Sequence, residues 1–368
     1  MKLHLTRRAA ARIVLALGAA GLLIPSTPAA AVTTRAPGTP VAVARTGDGF
    51  ITVDGRGAVI HRFTMDANHI SLDGDVVAIS TMTGFGDGSL EQVIGMDART
   101  GRELYRVPDA FAPTLVDGGR KVAFLSDRWG RRDMQGNSVW LRDADGTVRK
   151  LVQFSNGPDL PGVDNGMQGD GTVLSLALDR TGSRLLVTEG NDVDLFIYDI
   201  WSVDVATGDA QRLTTGLKSR FPSLSADGKT AAYFRETELC GGEGAGYRTG
   251  TIRTVGTDGS RPKVILRGTC DVIYTDPHWV SPTALAVARL TRTADGGYTP
   301  DLVRINVASK RMVVLAKGIN YLNASASGHR AVYGTNDRDG FTILDTVSGR
   351  RVDVGEGYLP RLSGDHRW

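Results

Sequence analysis

The sequence predicts an all-β chain folded as a β-propeller of seven four-stranded blades, with N- and C-terminal strands sharing one blade. Three observations carry this. A phrase of apolar strand, Asp/Gly turn and second apolar strand recurs along the chain, clearest in PTLVDGGRKVAFLS (Pro113–Ser126) and PSLSADGKTAAYF (Pro222–Phe234). A second strand–turn–strand phrase follows it, as in VWLRDADGTVRKLV (Val139–Val152) and IWSVDVATGDAQRLT (Ile200–Thr214). The chain ends are complementary. The tail from Tyr358 is a first phrase that stops after one strand, and the head supplies three strands without a preceding first one. Sharing one blade removes the open edge between first and last blades. Units of four strands repeating every 40–60 residues or so are the signature of radial stacking.

The elements follow in order. Lys2, Arg7, Arg8 and Arg12 form a basic head, and Ile13–Ile24 is an apolar run ended by Pro25. Ala29, Ala30 and Ala31 then offer small residues for cleavage, so residues 1–31 read as an export signal. The apolar run is too short for a bilayer, which needs about 20 residues. Thr6-Arg7-Arg8 suits a twin-arginine signal, but alanines follow the pair, and the general secretory route stays equally open. Residues 32–40 form a short tether, and 41–368 form the propeller domain. The head strands are Val41–Thr46, Gly49–Gly55 and Ala58–Phe63. First phrases begin near His69, Pro113, Ser175, Pro222, Pro277, Asn323 and Pro360. The longest step, 62 residues, leaves room for an insertion and keeps six or eight blades open. The 46 glycines find their place in hairpin turns, whose positive-φ positions favour Gly and Asn. No stretch after residue 32 has a helical period with caps. A β-sandwich is the alternative, but it does not need a repeat that closes head to tail.

Charge excludes one partner class. The whole chain carries a formal +3, but without the signal 39 basic side chains face 40 acidic ones, a net of −1. Composition therefore gives no support to a nucleic-acid partner. No membrane span remains after signal removal, and nothing in the sequence calls for more than a monomer.

The segment DIWSVDVATGDAQRLTTG (Asp199–Gly216), followed by RFPSLSADGKTAAYF (Arg220–Phe234), resembles the WD40-like (PD40) repeat of TolB-type propellers. That repeat has a Thr-Gly turn, a Leu-Thr step, a Pro-x-x-Ser strand and an Asp-Gly-Lys turn. Tyr358–Trp368 and Phe111–Gly130 match more loosely. The resemblance implies a propeller fold and leaves function open, since such propellers host binders and enzymes alike. TolB carries a separate α/β domain before its propeller, where this chain has the short tether.

Catalytic motifs are missing: there is no Gly-x-Ser-x-Gly elbow and no His-Glu-x-x-His. The sialidase Asp-box fails at Ser225–Thr230, where Gly comes one place early. Some TolB-like propellers are lyases with a histidine-held metal. Here His69 and His278 fall near first-strand starts, His329 and His366 at the opposite face and His61 in an outer strand, which does not support a three-histidine site. Asp143–Gly146 and Asn336–Gly340 resemble fragments of calcium loops and read as hairpin turns. Cys240 and Cys270 fall in loops that open on one face, so an exported chain should join them in a disulfide.

The same face gathers Asn68, Phe111, Arg220, Phe221, Tyr274, Asp276, Tyr321 and Tyr358 just before first strands. Around a channel mouth such rings suit a peptide, a glycan or a partner loop; the alternative is packing between blades. Longer loops at 83–89, 128–137, 156–170 and 291–299 open there too, the second carrying Trp129, Arg131 and Arg132. The expected function is an exported, non-catalytic module binding a protein or glycan of the cell envelope, without a cofactor. The alternative is a hydrolase or lyase on sugars or lactones, using carboxylates such as Asp170 and Asp276 and a divalent cation at the mouth.

Overall fold

A computed structural model describes residues 38–83, 90–126, 138–154, 171–179, 181–191, 194–216, 218–240, 247–335 and 340–362. The expected signal (1–31), most of the tether, and the loop residues Trp129, Arg131, Arg132 and Asp170 lie outside these.

The described residues form seven antiparallel sheets of four strands. Blade 1 joins β1 (Ala42–Thr46), β2 (Gly49–Val53) and β3 (Val59–Phe63) to the last strand, β28 (Tyr358–Leu362), which is innermost. Blade 2 is β4 (His69–Asp73), β5 (Val76–Thr83), β6 (Leu90–Asp97) and β7 (Glu103–Pro108). Blade 3 is β8 (Phe111–Val116), β9 (Lys121–Leu125), β10 (Ser138–Arg142) and β11 (Val148–Gln153). Blade 4 is β12 (Gly171–Leu178), β13 (Arg184–Asn191), β14 (Asp194–Asp204) and β15 (Ala210–Arg212). Blade 5 is β16 (Ser219–Leu224), β17 (Thr230–Cys240), β18 (Tyr247–Gly256) and β19 (Lys263–Arg267). Blade 6 is β20 (Val272–Ser281), β21 (Ala284–Arg292), β22 (Tyr298–Asn306) and β23 (Met312–Lys317). Blade 7 is β24 (Ile319–Ser327), β25 (Arg330–Thr335), β26 (Phe341–Asp345) and β27 (Arg351–Val354). The seven blades and the shared first blade are as the repeat predicts.

Burial explains the strand sequences. The innermost strand β8 is buried at every position, whereas the outermost strand β7 buries only one residue in six. Inner strands are covered on both faces and read as continuous apolar runs; outer ones meet water and alternate. Among the described residues the core is divided into eight clusters, each between consecutive blades, with two at the junction of blades 5 and 6. Val43, Phe50 and Phe63 of blade 1 meet Leu72 and Ile79 of blade 2. At the far end of the chain Val332, Phe341 and Ile343 of blade 7 meet Ala42, Ile51 and Leu362 of blade 1, which closes the ring.

The outer hairpins repeat one device. In blade 2 the Asp97 carboxylate accepts the Arg99 and Thr100 backbone N–H groups, both at 2.9 Å. Gly101 then turns left-handed at φ 71° and donates its N–H to Asp97 O. The Asp supplies the acceptor of an Asx-turn, and the glycine accepts a φ that a Cβ would resist.

Candidate binding face

Inner strands all start at one end of the ring, where the connectors between blades and the loops joining second to third strands also open. The start of several inner strands is bulged. Pairing slips between Phe111 and Thr114 in β8, between Arg220 and Ser223 in β16, and between Thr275 and His278 in β20. Each slip contains a proline whose preceding residue is left-handed: Ala112 (φ 52°), Phe221 (φ 55°) and Asp276 (φ 51°). Leu359 (φ 48°), before Pro360, repeats it in blade 1. Proline has no N–H to leave unpaired at a bulge, and the extra residue re-aims its side chain out of the ladder. For non-glycine residues this conformation is strained.

The bulges expose apolar side chains at the mouth. Phe221 is 40% exposed, Tyr358 48% and Leu359 37%. Arg220 lies over the Phe221 ring at 5.0 Å and faces Tyr198 and Phe234 at 5.8 Å. Its guanidinium forms an ion pair with the buried Glu236, which Arg248 also approaches at 3.4 Å. Burial pushes the Glu236 carboxyl above its usual range, and Arg220, Arg248 and Lys218 pull against that shift. In blade 6 the carboxylate of Asp276 lies 3.2 Å from Nε2 of the buried His278.

Of the expected mouth residues, Phe111 is packed between blades and Tyr274 is half-buried. Phe111 is 6% exposed and belongs to the cluster between blades 3 and 4. Tyr274 packs against the cluster between blades 5 and 6. Asn68 is exposed, and its carbonyl accepts a hydrogen bond from Arg45. The backbone of Tyr321 lies in β24, and its side chain lies outside the described set. The 291–299 loop shrinks to a five-residue turn, because Thr291 pairs with Thr299 and Arg292 with Tyr298. The loop residues 84–89, 128–137 and 156–170 lie outside the described set.

Cys240 and Cys270 are disulfide-bonded, with Cα atoms 5.3 Å apart. The bond joins the tip of β17 to the connector between blades 5 and 6. Tyr298 Oη donates to Cys270 O at 2.7 Å and ties blade 6 to the same corner.

Other features escape a reading of the sequence. A cavity of about 670 Å³ opens at the seam of blades 7 and 1, lined by Asp48, Arg62, Glu356, Gly357 and Tyr358 among others. Arg62 grips Glu356 there with both terminal nitrogens, at 2.8 and 2.5 Å. In blade 4 Glu189 and Asp199 are cross-strand partners, both buried. Trp201 Nε1 donates to Glu189 at 2.6 Å, Thr214 Oγ1 donates to Asp199 at 2.9 Å, and Arg212 is paired with Asp199. Burial lifts Glu189 to about 6. His69 Nδ1 lies 3.0 Å from Ser80 Oγ, and burial, with Arg45 and Arg361 nearby, lowers its pKa to about 4. Among the described residues no three His, Cys, Asp or Glu side chains converge into a metal-binding group.

Fold and face define a seven-bladed β-propeller with a bulged, partly apolar mouth. No protein-family model matches the chain, and no curated protein matches it. Among solved structures it is similar to the tricorn protease, at 12% identity and TM-score 0.56, over 89% of this chain and 36% of that one. It is also similar to a putative 6-phosphogluconolactonase from Bacteroides uniformis, at 14% identity and TM-score 0.54, over 89% and 97%. TolB from Acinetobacter baumannii matches at 16% identity over 78% of this chain and 66% of its own, with a TM-score of 0.47 too low to carry an argument. At such identities the likeness speaks to the fold alone.

Proposed function

We propose that this propeller is an exported, non-catalytic binding module that holds a protein or glycan of the cell envelope at its mouth face. In this reading residues 1–31 are the export signal, 32–40 a tether, and the mature chain a monomer without a cofactor. The observation that supports it is the exposure of Phe221, Tyr358 and Leu359 on bulged inner strands. Phe221 and Leu359, held out at left-handed positions, and the Tyr358 ring beside Leu359 supply contact area on a rigid scaffold at little entropic cost. Arg220 and Glu236 are already engaged with each other, which suits holding a surface in place better than moving protons. A second reading, a propeller hydrolase or lyase, draws on Asp276 beside His278.

The test is a pull-down from envelope extract with wild type, with Phe221→Ala/Tyr358→Ala, and with Trp129→Ala/Arg131→Ala/Arg132→Ala. The expected result is a partner retained by wild type and weakened about tenfold or more by the ring variant, as for loss of a central aromatic contact. A partner profile unchanged in both variants would reject this face.

A further inference from the structure

Four outer hairpins share one frame: an Asp or Asn ends the third strand, and the fourth residue after it is left-handed. That residue is Gly101, Gly208 and Gly349 in blades 2, 4 and 7, at φ 71°, 79° and 75°. In blade 6 it is Lys310, at φ 59°. Asn306 holds that turn through the Ala308 and Ser309 N–H groups, at 3.1 and 2.8 Å, as the aspartates do elsewhere. Lys310 therefore carries the Cβ clash that glycine avoids in the same frame. The fold has no need of a lysine there, and strain kept without a folding reason points to a role outside the fold.

The surroundings supply one. Arg311 follows Lys310, and both are exposed. The corresponding turn of blade 7 exposes Arg350 and Arg351, that of blade 1 exposes Arg56, and that of blade 5 exposes Arg261 and Lys263. Shared cores make blades 5, 6, 7 and 1 consecutive around the ring. The carboxylates at these turns accept backbone N–H groups, and the exposed Asp353 of β27 accepts the Thr342 hydroxyl at 2.7 Å. Asp345 accepts the Val347 and Ser348 N–H groups at 3.0 and 2.7 Å, and Asp54 those of Arg56 and Ala58 at 2.8 and 3.0 Å. Asp258 accepts the Ser260 N–H at 2.9 Å, and blade 6 has Asn306 in place of an acid. The turns of blades 3 and 4 (143–147 and 205–209) expose Asp145 and Asp209 and contain no basic side chain, although Asp145 accepts the Thr147 N–H just as Asp258 accepts that of Ser260. Near-neutral overall, the propeller sorts its charge around this rim.

We propose that the arc over blades 5, 6, 7 and 1 docks a flexible, linear, acidic polysaccharide, with Lys310 and Arg311 at its centre. The shape of the patch selects the partner. A flat anionic membrane would meet the acidic turns of blades 3 and 4 as well. A DNA duplex, with a persistence length of about 50 nm, is too stiff to follow the curve. Single-stranded nucleic acid wants stacking rings, and the large exposed side chains described at these turns include Val347 but no aromatic residue. A polysaccharide bends along the arc and needs only spaced cations. These turns lie at the end of the blades opposite the mouth, so this proposal and the mouth-face reading stand or fall separately.

The test measures binding of the full-length protein to heparin and to alginate at low salt, with neutral dextran as the blank. Lys310→Gly/Arg311→Gln gives that turn the glycine already used at Gly101, so its melting temperature should equal or exceed wild type. Its affinity should fall roughly three- to tenfold, as for two exposed charge contacts, and Arg350→Gln should lower it less. Binding to either polymer that these variants weaken supports the proposal, and the polymer preferred identifies sulfate or carboxylate as the anion read. No binding to either polymer overturns it, as does unchanged affinity in a folded variant. Equal or tighter binding to phosphatidylglycerol vesicles or to a 20-base single-stranded oligonucleotide overturns it in favour of those partners.

Discussion

Two titratable side chains, the buried Glu189 and the half-buried His69, give the molecule opposing responses to acid. Glu189 is lifted to about 6 chiefly by burial, so the folded state holds its proton more tightly than the unfolded chain does. Its contribution to stability is largest at low pH and declines as pH rises from about 4.5 to 6, by about 2 kcal/mol. His69, lowered to about 4, works in reverse: the unfolded chain takes its proton first, and stability falls by roughly 3 kcal/mol as pH drops from 6.5 to 4. Wild type should therefore show a shallow profile across this window. Glu189→Gln should steepen the acid-side loss, and His69→Asn should leave stability decreasing with rising pH. Urea unfolding at half-unit steps reads this directly, and three parallel profiles would refute the assignment. Neither group was legible in the sequence. An acid in a strand looks the same facing water or facing a neighbouring blade, and only the register of β13 against β14 buries Glu189 beside Asp199.

At the scale of the element, the disulfide and the bulges show which features the sequence discloses. Cys240 and Cys270 are two cysteines in loops that the repeat sends to one face, and they are bonded. Closing a 30-residue separation should stabilise the fold by about 3 kcal/mol. Cys240→Ser/Cys270→Ser should accordingly lower the unfolding free energy by that amount; an unchanged denaturant midpoint would argue that the link is idle. The bulges were harder to foresee. Residues before proline favour extended backbone, so each x-Pro step reads as a plain strand. Ala112, Phe221, Asp276 and Leu359 instead turn left-handed. That register buries Phe111 between blades and leaves Phe221 at the mouth, which separates residues that the sequence places together.

At the scale of the molecule, seven similar sheets are held by seven similar interfaces, and the ring is only as sound as its seam. There β1 pairs with β2 on one side and with β28 on the other, and Leu362 is 1% exposed in the closing core. Deleting residues 358–368 should cost more than the 2–5 kcal/mol or so of one buried leucine truncation, and should leave β1 as an unpaired edge prone to association. Light scattering and thermal unfolding would show it; a monodisperse chain with the wild-type melting temperature would mean that the seam carries no weight. The repeat made this closure legible, because turn chemistry recurs in every blade. The sorting of charge around the rim was not, since a net near zero conceals where each sign lies.

The seam also sets an order in time. Ala42 pairs with Leu362, almost the whole described chain away, so β1 to β3 can complete their sheet only after β28 has been made. A nascent chain can assemble blades 2 to 7 as each emerges, since their pairings are local. Blade 1 must wait with its inner edge bare, and the slow, non-local step of closing the circle cannot come before β28 has been made. A chaperone, a translocation channel or a competing strand would find its opening in that interval.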